Sequence, residues 1–165
     1  MPKAAYITFL GRSTWALVNA YHAVLREKGF WPEQVYIIAE EPYTESTQKA
    51  AGGIGIISES FGLRPEVHLR TVPEADFAGA GRMVGSLVRT LGEEGFVVGL
   101  DITSGRKAMV AGALVATARA GLEIRHIYYL AMKSIDNVAK PYMMIPFQIQ
   151  QIRDFTREQE AALSA

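Results

Sequence analysis

The sequence contains no cysteine among its 165 residues. Disulfide frameworks, thiolate metal sites and cysteine nucleophiles are therefore excluded together. The sequence also lacks an excess of charge of either sign, because 17 basic residues balance 17 acidic ones. A protein that coats long nucleic acid needs a broad basic face, so this balance argues against a long nucleic-acid partner. A small anionic ligand in a local pocket is compatible with it.

The sequence also lacks a long apolar run at the amino terminus and has only a short one there. The run within residues 1–10 is too short to span a membrane and carries no signal-peptide cleavage pattern. We therefore expect a cytoplasmic protein with no membrane partner. Because no Pro-rich or Ser-rich linker divides the sequence, we expect one domain over residues 1–150. Residues 151–165 are expected to form a short tail that is helical or frayed.

Apolar runs alternate with helical patterns along the rest of the sequence. Strands are predicted at residues 4–10, 34–39, 66–72, 96–100 and 123–130. The first helix between them is predicted to end at Gly29, and the following helices are predicted to cover residues 44–61, 74–94 and 108–120. Three glycines weaken the second of these helices, so part of it can also be a loop. The alternation predicts an α/β, Rossmann-like fold, with a mostly parallel sheet and helices on both faces.

The helix predicted at residues 108–120 has no face suited to water. No charged residue occurs between Lys107 and Arg119, so we expect the helix to be buried on two sides. One side is expected to pack on the sheet. The other side carries the small residues Ala111, Gly112 and Ala118. It can pack against another helix of the same chain or against the same helix of a second subunit.

Two turns that each join a strand to a helix are rich in glycine and polar residues. The first reads Gly11-Arg12-Ser13-Thr14 and the second Thr103-Ser104-Gly105-Arg106-Lys107. In the common doubly wound strand order, the two strands that precede them are neighbours, so the turns face each other. Helix amino termini present unpaired N–H groups to anions, and Arg12, Arg106 and Lys107 add positive charge. The pattern favours a phosphate-bearing ligand.

Several standard signatures are absent. The sequence has no Gly-x-Gly-x-x-Gly after the first strand, no P-loop, no Gly-x-Ser-x-Gly and no His-Glu-x-x-His, which argues against ordinary NAD or FAD sites and P-loop hydrolases. His22, His68 and His126 are scattered, and we expect structural roles for them. Asp101 ends a buried strand, where it can orient a ligand hydroxyl or cap the turn.

With its flanks, the second turn reads Asp101-Ile102-Thr103-Ser104-Gly105-Arg106-Lys107-Ala108-Met109. This Asp-x-Thr-x-Gly-x-Lys-x-Met pattern, paired with the hydroxyl-bearing first turn, resembles the CARF domain, the CRISPR-associated Rossmann fold, over roughly residues 1–150. The resemblance implies a homodimer that binds a cyclic oligoadenylate, expected to be cyclic tetra-adenylate, across its twofold axis. It implies no cofactor and no metal. The ligand contacts that it implies are Gly11, Arg12, Thr14, Asp101, Thr103, Ser104, Gly105 and Arg106.

CARF proteins usually carry a second, effector domain, for which 165 residues leave no room. The sequence is therefore most similar to the stand-alone ring nucleases, which cut the messenger and switch off type III CRISPR signalling. Attack by a 2′-hydroxyl on the adjacent phosphate needs positioning and no metal. In that reading Ser13 and Lys107 are catalytic: Ser13 holds the phosphate or the attacking hydroxyl, and Lys107 stabilises charge on the phosphate oxygens.

Other functions stay open at the level of sequence. The chain can be a non-cleaving sensor of cyclic oligoadenylate, or a piece of a larger CARF effector. A third hypothesis is a monomeric domain that binds a sugar phosphate or mononucleotide.

No strong general base lies near the two turns, which predicts slow cleavage. Trp15, Tyr128 and Tyr129 can stack on adenines, although core packing is the commoner fate of such residues.

Overall fold

The computed structural model describes residues 2–165. The strands are β1 Ala4–Leu10, β2 Gln34–Glu40, β3 Glu66–Val72, β4 Val97–Asp101, β5 His126–Met132 and β6 Gln150–Asp154. They form one sheet in the order β3-β2-β1-β4-β5-β6. The first five strands are parallel, and β6 is antiparallel to β5. This is the expected doubly wound order, in which the winding reverses between β1 and β4.

Helices cover both faces of the sheet, which confirms the predicted α/β architecture. The side chains of β1 alternate between the two layers: Tyr6 packs on the side of the helices that follow β1 and β2, whereas Ile7 packs on the side of the helices that follow β3 and β4. Because both faces are buried, the central strands read as continuous apolar runs. The helices are α1 Thr14–Ala23, α2 Thr47–Ser60, α3 Phe77–Glu93, α4 Lys107–Arg119 and α5 Phe155–Ser164, and single π or 3₁₀ turns cover Val24–Lys28, Glu41–Ser46, Ile135–Asn137, Tyr142–Met144 and Phe147–Ile149.

The first helix begins and ends as predicted. Ser13 Oγ accepts a hydrogen bond from the Ala16 amide over 3.1 Å and caps the amino terminus of α1. After the π-helical turn, Gly29 adopts a left-handed conformation with φ of 59°, which glycine adopts at little cost. The chain then leaves the helix and enters β2.

The side of α4 that carries small residues is partly covered by the same chain and partly exposed at the surface. Gly112 packs against the backbone of Phe77 in α3, and a Cβ on Gly81 would lie only 2.8 Å from the Gly112 carbonyl oxygen. A neighbouring helix of the same chain therefore covers this part, one of the two expected arrangements. Ala111 and Val115 remain exposed on the far side of α4, with Val115 42% exposed.

The carboxyl-terminal segment differs from the sequence prediction. Residues 150–154 form the edge strand β6, where the sequence predicted a helical or frayed tail from residue 151, and only α5 matches that prediction. The strand was missed because its inward residues are largely polar. The Gln150 amide donates to the carbonyls of Tyr142 and Ile145, and Asp154 pairs with His126. Hydrogen bonds, rather than an apolar pattern, hold this strand.

None of the helices within residues 2–165 has both the length and the apolar character needed to cross a bilayer.

Candidate functional site

The two predicted turns meet at the carboxyl edge of the sheet. The Gly11 amide donates a 3.1 Å hydrogen bond to Ser104 Oγ. The backbones also touch, because a Cβ on Gly11 would lie 3.0 Å from the Gly105 nitrogen. The β1–α1 loop and the β4–α4 loop are therefore neighbours at the switch point, as predicted from the strand order.

The meeting loops enclose one side of an open cavity of about 420 Å³. A larger depression of about 630 Å³ lies around Val88 and Phe96, below β4 at the opposite edge of the sheet, where no helix begins. We assign the site to the smaller cavity because two helices begin at it. Seven of the ten predicted site residues, together with Ala16, line it: Gly11, Arg12, Ser13, Thr103, Ser104, Gly105 and Arg106.

The amino termini of α1 and α4 supply hydrogen-bond donors to this cavity. Ser13 accepts from the Ala16 amide, which leaves its hydroxyl hydrogen free to donate to a ligand. No side chain caps α4, whose first residue is Lys107. The first N–H groups of a helix have no partner within the helix, so they and the helix dipole favour an anion here.

Asp101 supports the β4–α4 loop from beneath. Its carboxylate is completely buried and accepts hydrogen bonds from the Thr103 amide and hydroxyl and from the Thr8 hydroxyl, over 2.9, 2.6 and 2.8 Å. The Leu130 amide donates to the same Thr103 hydroxyl. Burial raises the pKa of Asp101 to about 6, although these hydrogen bonds oppose the rise. Asp101 therefore caps the turn and reaches the ligand region only through Thr103.

Gly105 occupies a position that only glycine fits. Its φ is 92°, and a Cβ there would lie 2.5 Å from the Phe9 Cβ. Both the positive φ and the close approach exclude a side chain. The glycine lets the loop turn tightly over β1 and places Ser104 against Gly11.

The acidic partners of Arg106 were not among the residues predicted from the sequence. Its Nε lies 3.0 Å from the Glu40 carboxylate, and its Nη2 donates to Glu74 over 2.6 Å. The Arg106 and Arg12 guanidinium groups next to Tyr43 also lower the pKa of its phenol. One signal was available, since Glu40 and Glu74 stand at or just after the ends of β2 and β3, at the same edge of the sheet as the two loops.

Comparison with known proteins yields structures only, because no family model and no curated protein matches the sequence. Csm6 from Enterococcus italicus, bound to cyclic hexa-2′-fluoro-hexa-dAMP, superposes on 98% of this chain with a TM-score of 0.64 and 15% identity. Can2 from Sulfobacillus thermosulfidooxidans, in complex with cyclic tetra-adenylate, covers 76% of this chain with a TM-score of 0.55 and 17% identity. A type III CRISPR defence DNA nuclease activated by cyclic oligoadenylate covers 81% with a TM-score of 0.57 and 19% identity.

These similar structures are CARF-domain proteins. The chain has a CARF-type fold. It spans less than half of each of these proteins: 45% of Csm6, 31% of Can2 and 19% of the DNA nuclease. At these identities the likeness concerns the fold alone.

In this CARF-type fold, two further predicted residues lie beside the cavity and outside its wall. Lys107 is exposed at the first position of α4, next to Arg106. Thr14 is partly buried at the first position of α1. Each directly follows a residue that lines the cavity, Ser13 for Thr14 and Arg106 for Lys107.

The predicted aromatic candidates separate into one surface residue and two packed ones. Trp15 is 41% exposed in the first turn of α1. Tyr128 is buried and stacks on His126, so the expectation of core packing is the correct one for this residue. Tyr129 stacks on Phe155. Of these three residues, only Trp15 is exposed in a helix that begins at the cavity.

The three histidines pack elsewhere, as predicted. His22 lies against Phe61 and Tyr142, His68 stacks on Tyr36, and His126 pairs with Asp154. None of them lines the cavity.

Proposed function

We propose that the cavity between the β1–α1 and β4–α4 loops binds a cyclic oligoadenylate, with cyclic tetra-adenylate as the ligand. The observation that carries this proposal is the convergence of two helix amino termini with Arg12 and Arg106 at one cavity. Backbone N–H groups and guanidinium groups are suited to phosphate. Two proteins of the same fold, Can2 and Csm6, hold a cyclic tetra-adenylate and a cyclic hexanucleotide analogue.

The proposed ligand is shared by two copies of the chain. A cavity of about 420 Å³ is at the small end of the range for drug-sized ligands, so one copy does not enclose a ring of four nucleotides. In a twofold dimer each subunit presents the same loops to half of the ring. The exposed apolar residues Ala111 and Val115 of α4 provide a surface that such a dimer can cover.

We further propose that the bound ring is cleaved by its own 2′-hydroxyl. The 2′-oxygen forms a bond to the adjacent phosphorus, the bond from phosphorus to the 5′-oxygen breaks, and a 2′,3′-cyclic phosphate results. The hydroxyl proton passes to water, and the leaving oxygen takes a proton from water. Ser13 holds the phosphate, while Lys107 and the first amides of α4 stabilise the charge that develops on its oxygens.

A cleavage assay with labelled cyclic tetra-adenylate, in the presence of chelator, tests this step. We expect linear product ending in a 2′,3′-cyclic phosphate, and a rate about 10²–10³ lower for Lys107→Ala at unchanged affinity. Lys140→Ala is the matched control, because Lys140 lies outside the cavity wall and pairs with Asn137. Rings that stay intact at stoichiometric protein, under conditions where binding is demonstrated, would reject cleavage.

A specific observation favours a second candidate function, a sensor that binds without cleaving. No carboxylate and no imidazole stands among the residues that line the cavity, so the site holds no side chain that is an obvious general base. The same assay separates the two functions. In a pure sensor, Lys107→Ala lowers affinity and no linear product forms at any time.

A further inference from the structure

Arg106 is paired with two carboxylates that differ in burial. Its Nε lies 3.0 Å from Glu40 Oε2, and its Nη2 lies 2.6 Å from Glu74 Oε1. These two nitrogens form one edge of the guanidinium plane, so both acids bind along the same edge. Two negative charges surround one positive charge, which lowers the attraction of Arg106 for any further anion.

Glu40 is the fixed partner. It is the last residue of β2, in register with Val72 of β3, and its side chain is only 1% exposed. Neither of its carboxylate oxygens accepts a hydrogen bond from the described residues. A buried carboxylate without hydrogen bonds is costly unless a charge compensates it, and the Arg106 guanidinium is the charge that lies next to it. A ligand at the cavity therefore does not readily displace this contact.

Glu74 is the exchangeable partner. It lies two residues beyond β3, in the connection to α3, and its side chain is 53% exposed. An exposed ion pair contributes little because water and salt compete with it. The Glu74 carboxylate oxygen thus occupies, next to Arg106 Nη2, a position that a ligand phosphate oxygen can take.

We propose that Glu40 is a positioning residue that fixes Arg106 at the cavity, and that Glu74 is an internal competitor for the ligand phosphate. This inference rests on the proposed function, since it assumes that the anion which reaches Arg106 belongs to the cyclic oligoadenylate. On binding, the phosphate replaces Glu74, and Arg106 then bridges the buried Glu40 and the ligand.

Two substitutions that remove the same charge next to the same guanidinium test the proposal. Simple electrostatic repulsion predicts that Glu40→Gln and Glu74→Gln both tighten the binding of cyclic tetra-adenylate. Our proposal predicts opposite signs: Kd falls about twofold to fivefold for Glu74→Gln, and rises about tenfold for Glu40→Gln because Arg106 loses its anchor. Glu41→Gln, at an exposed acid next to Glu40, is the matched control and should change Kd less than twofold.

A double-mutant cycle ties the effect to Arg106. In an Arg106→Ala background, Glu74→Gln should no longer change Kd, because the guanidinium group for which Glu74 and the phosphate compete is absent. A structural role of Glu74 would leave its effect unchanged in that background. If Glu40→Gln lowers the melting temperature strongly, Glu40→Asp provides the second variant. Aspartate keeps the negative charge, but its shorter side chain moves the carboxylate away from Arg106. If Glu40→Asp binds cyclic tetra-adenylate as tightly as wild type, the positioning role is wrong.

The outcomes separate this inference from the proposed function. If the wild-type protein does not bind cyclic tetra-adenylate, the proposed function is wrong, and the inference falls with it. If the wild type binds but the two glutamine variants shift Kd in the same direction, only the inference is wrong. Opposite shifts that disappear without Arg106 support both.

Discussion

The backbone amide of Gly11 donates a hydrogen bond to Ser104 Oγ over 3.1 Å, although 93 residues separate the two in sequence. The contact joins the loops that follow β1 and β4, and it is buried. It fixes the distance between the amino termini of α1 and α4, and hence the width of the cavity to which both helices contribute.

Replacing Ser104 by alanine should therefore weaken both the fold and the site. The substitution leaves the buried Gly11 amide without an acceptor, which costs about 1–3 kcal/mol in the free energy of unfolding. Chemical denaturation measures this loss. Ser60→Ala is the control, because the Ser60 hydroxyl binds only a local carbonyl at the surface, and its effect should stay within about 0.5 kcal/mol. Equal effects at both positions would contradict the role of Ser104.

Gly105 should not tolerate alanine. A left-handed backbone costs an L-residue about 1–2 kcal/mol, and the approach of Phe9 adds a steric penalty. Thermal unfolding should show a clear loss of stability for Gly105→Ala. Gly85 in α3 offers a control of opposite sign, since nothing lies within 4 Å of a Cβ added there. Gly85→Ala should stabilise the helix by about 0.5–1 kcal/mol. A neutral Gly105→Ala variant would contradict the loop geometry.

Asp101 should make stability depend on pH. Its pKa in the folded protein is raised by burial to about 6 from 3.8, so between these values the folded state binds more protons than the unfolded one. Stability contributed by this group therefore falls as pH rises through that window, by roughly 3 kcal/mol in total. The unfolding free energy of wild type minus that of Asp101→Asn should decrease from pH 4 to pH 7. A difference that stays constant would show that Asp101 does not titrate there.

Asp154 should act in the opposite direction at the carboxyl-terminal helix. Burial opposes its ionisation, but hydrogen bonds from Thr156 and His126 outweigh this and hold its pKa below the ordinary value. The stability it contributes is present above the unfolded pKa and is lost as pH falls through the folded one. Asp154→Asn should cost about 1–3 kcal/mol at neutral pH and progressively less in acid. Fluorescence-monitored denaturation at several pH values measures this, and a cost that grows in acid would contradict it.

Much of the fold was predictable because the central strands are buried on both faces. The bounds of β1 agree with the apolar run at 4–10, those of the edge strand β3 agree with the strand predicted at 66–72, and Gly29 ends the first helix where expected. The position of β6 was not predictable from hydrophobicity, since Gln150 and Asp154 are buried through hydrogen bonds.

The candidate site was predictable to the extent that strand order and loop composition determine it. Parallel strands bring their carboxyl ends to one edge, so the turns at Ser13 and Ser104 had to meet once β1 and β4 were neighbours. Which carboxylates pair with Arg106 depends on the paths of two other loops. Their places near the ends of two strands put Glu40 and Glu74 at the right edge of the sheet, but composition and spacing carry no information about the paths of those loops, so the pairing itself emerged only from the structure.

Isothermal titration of the protein with cyclic tetra-adenylate tests the central claim most directly, combined with the mass of the complex in solution. We expect saturable binding of one ring per two chains, lost when Arg12 and Arg106 are both replaced by alanine. Absence of binding, or one mononucleotide bound per monomer with no response to the ring, would contradict the account.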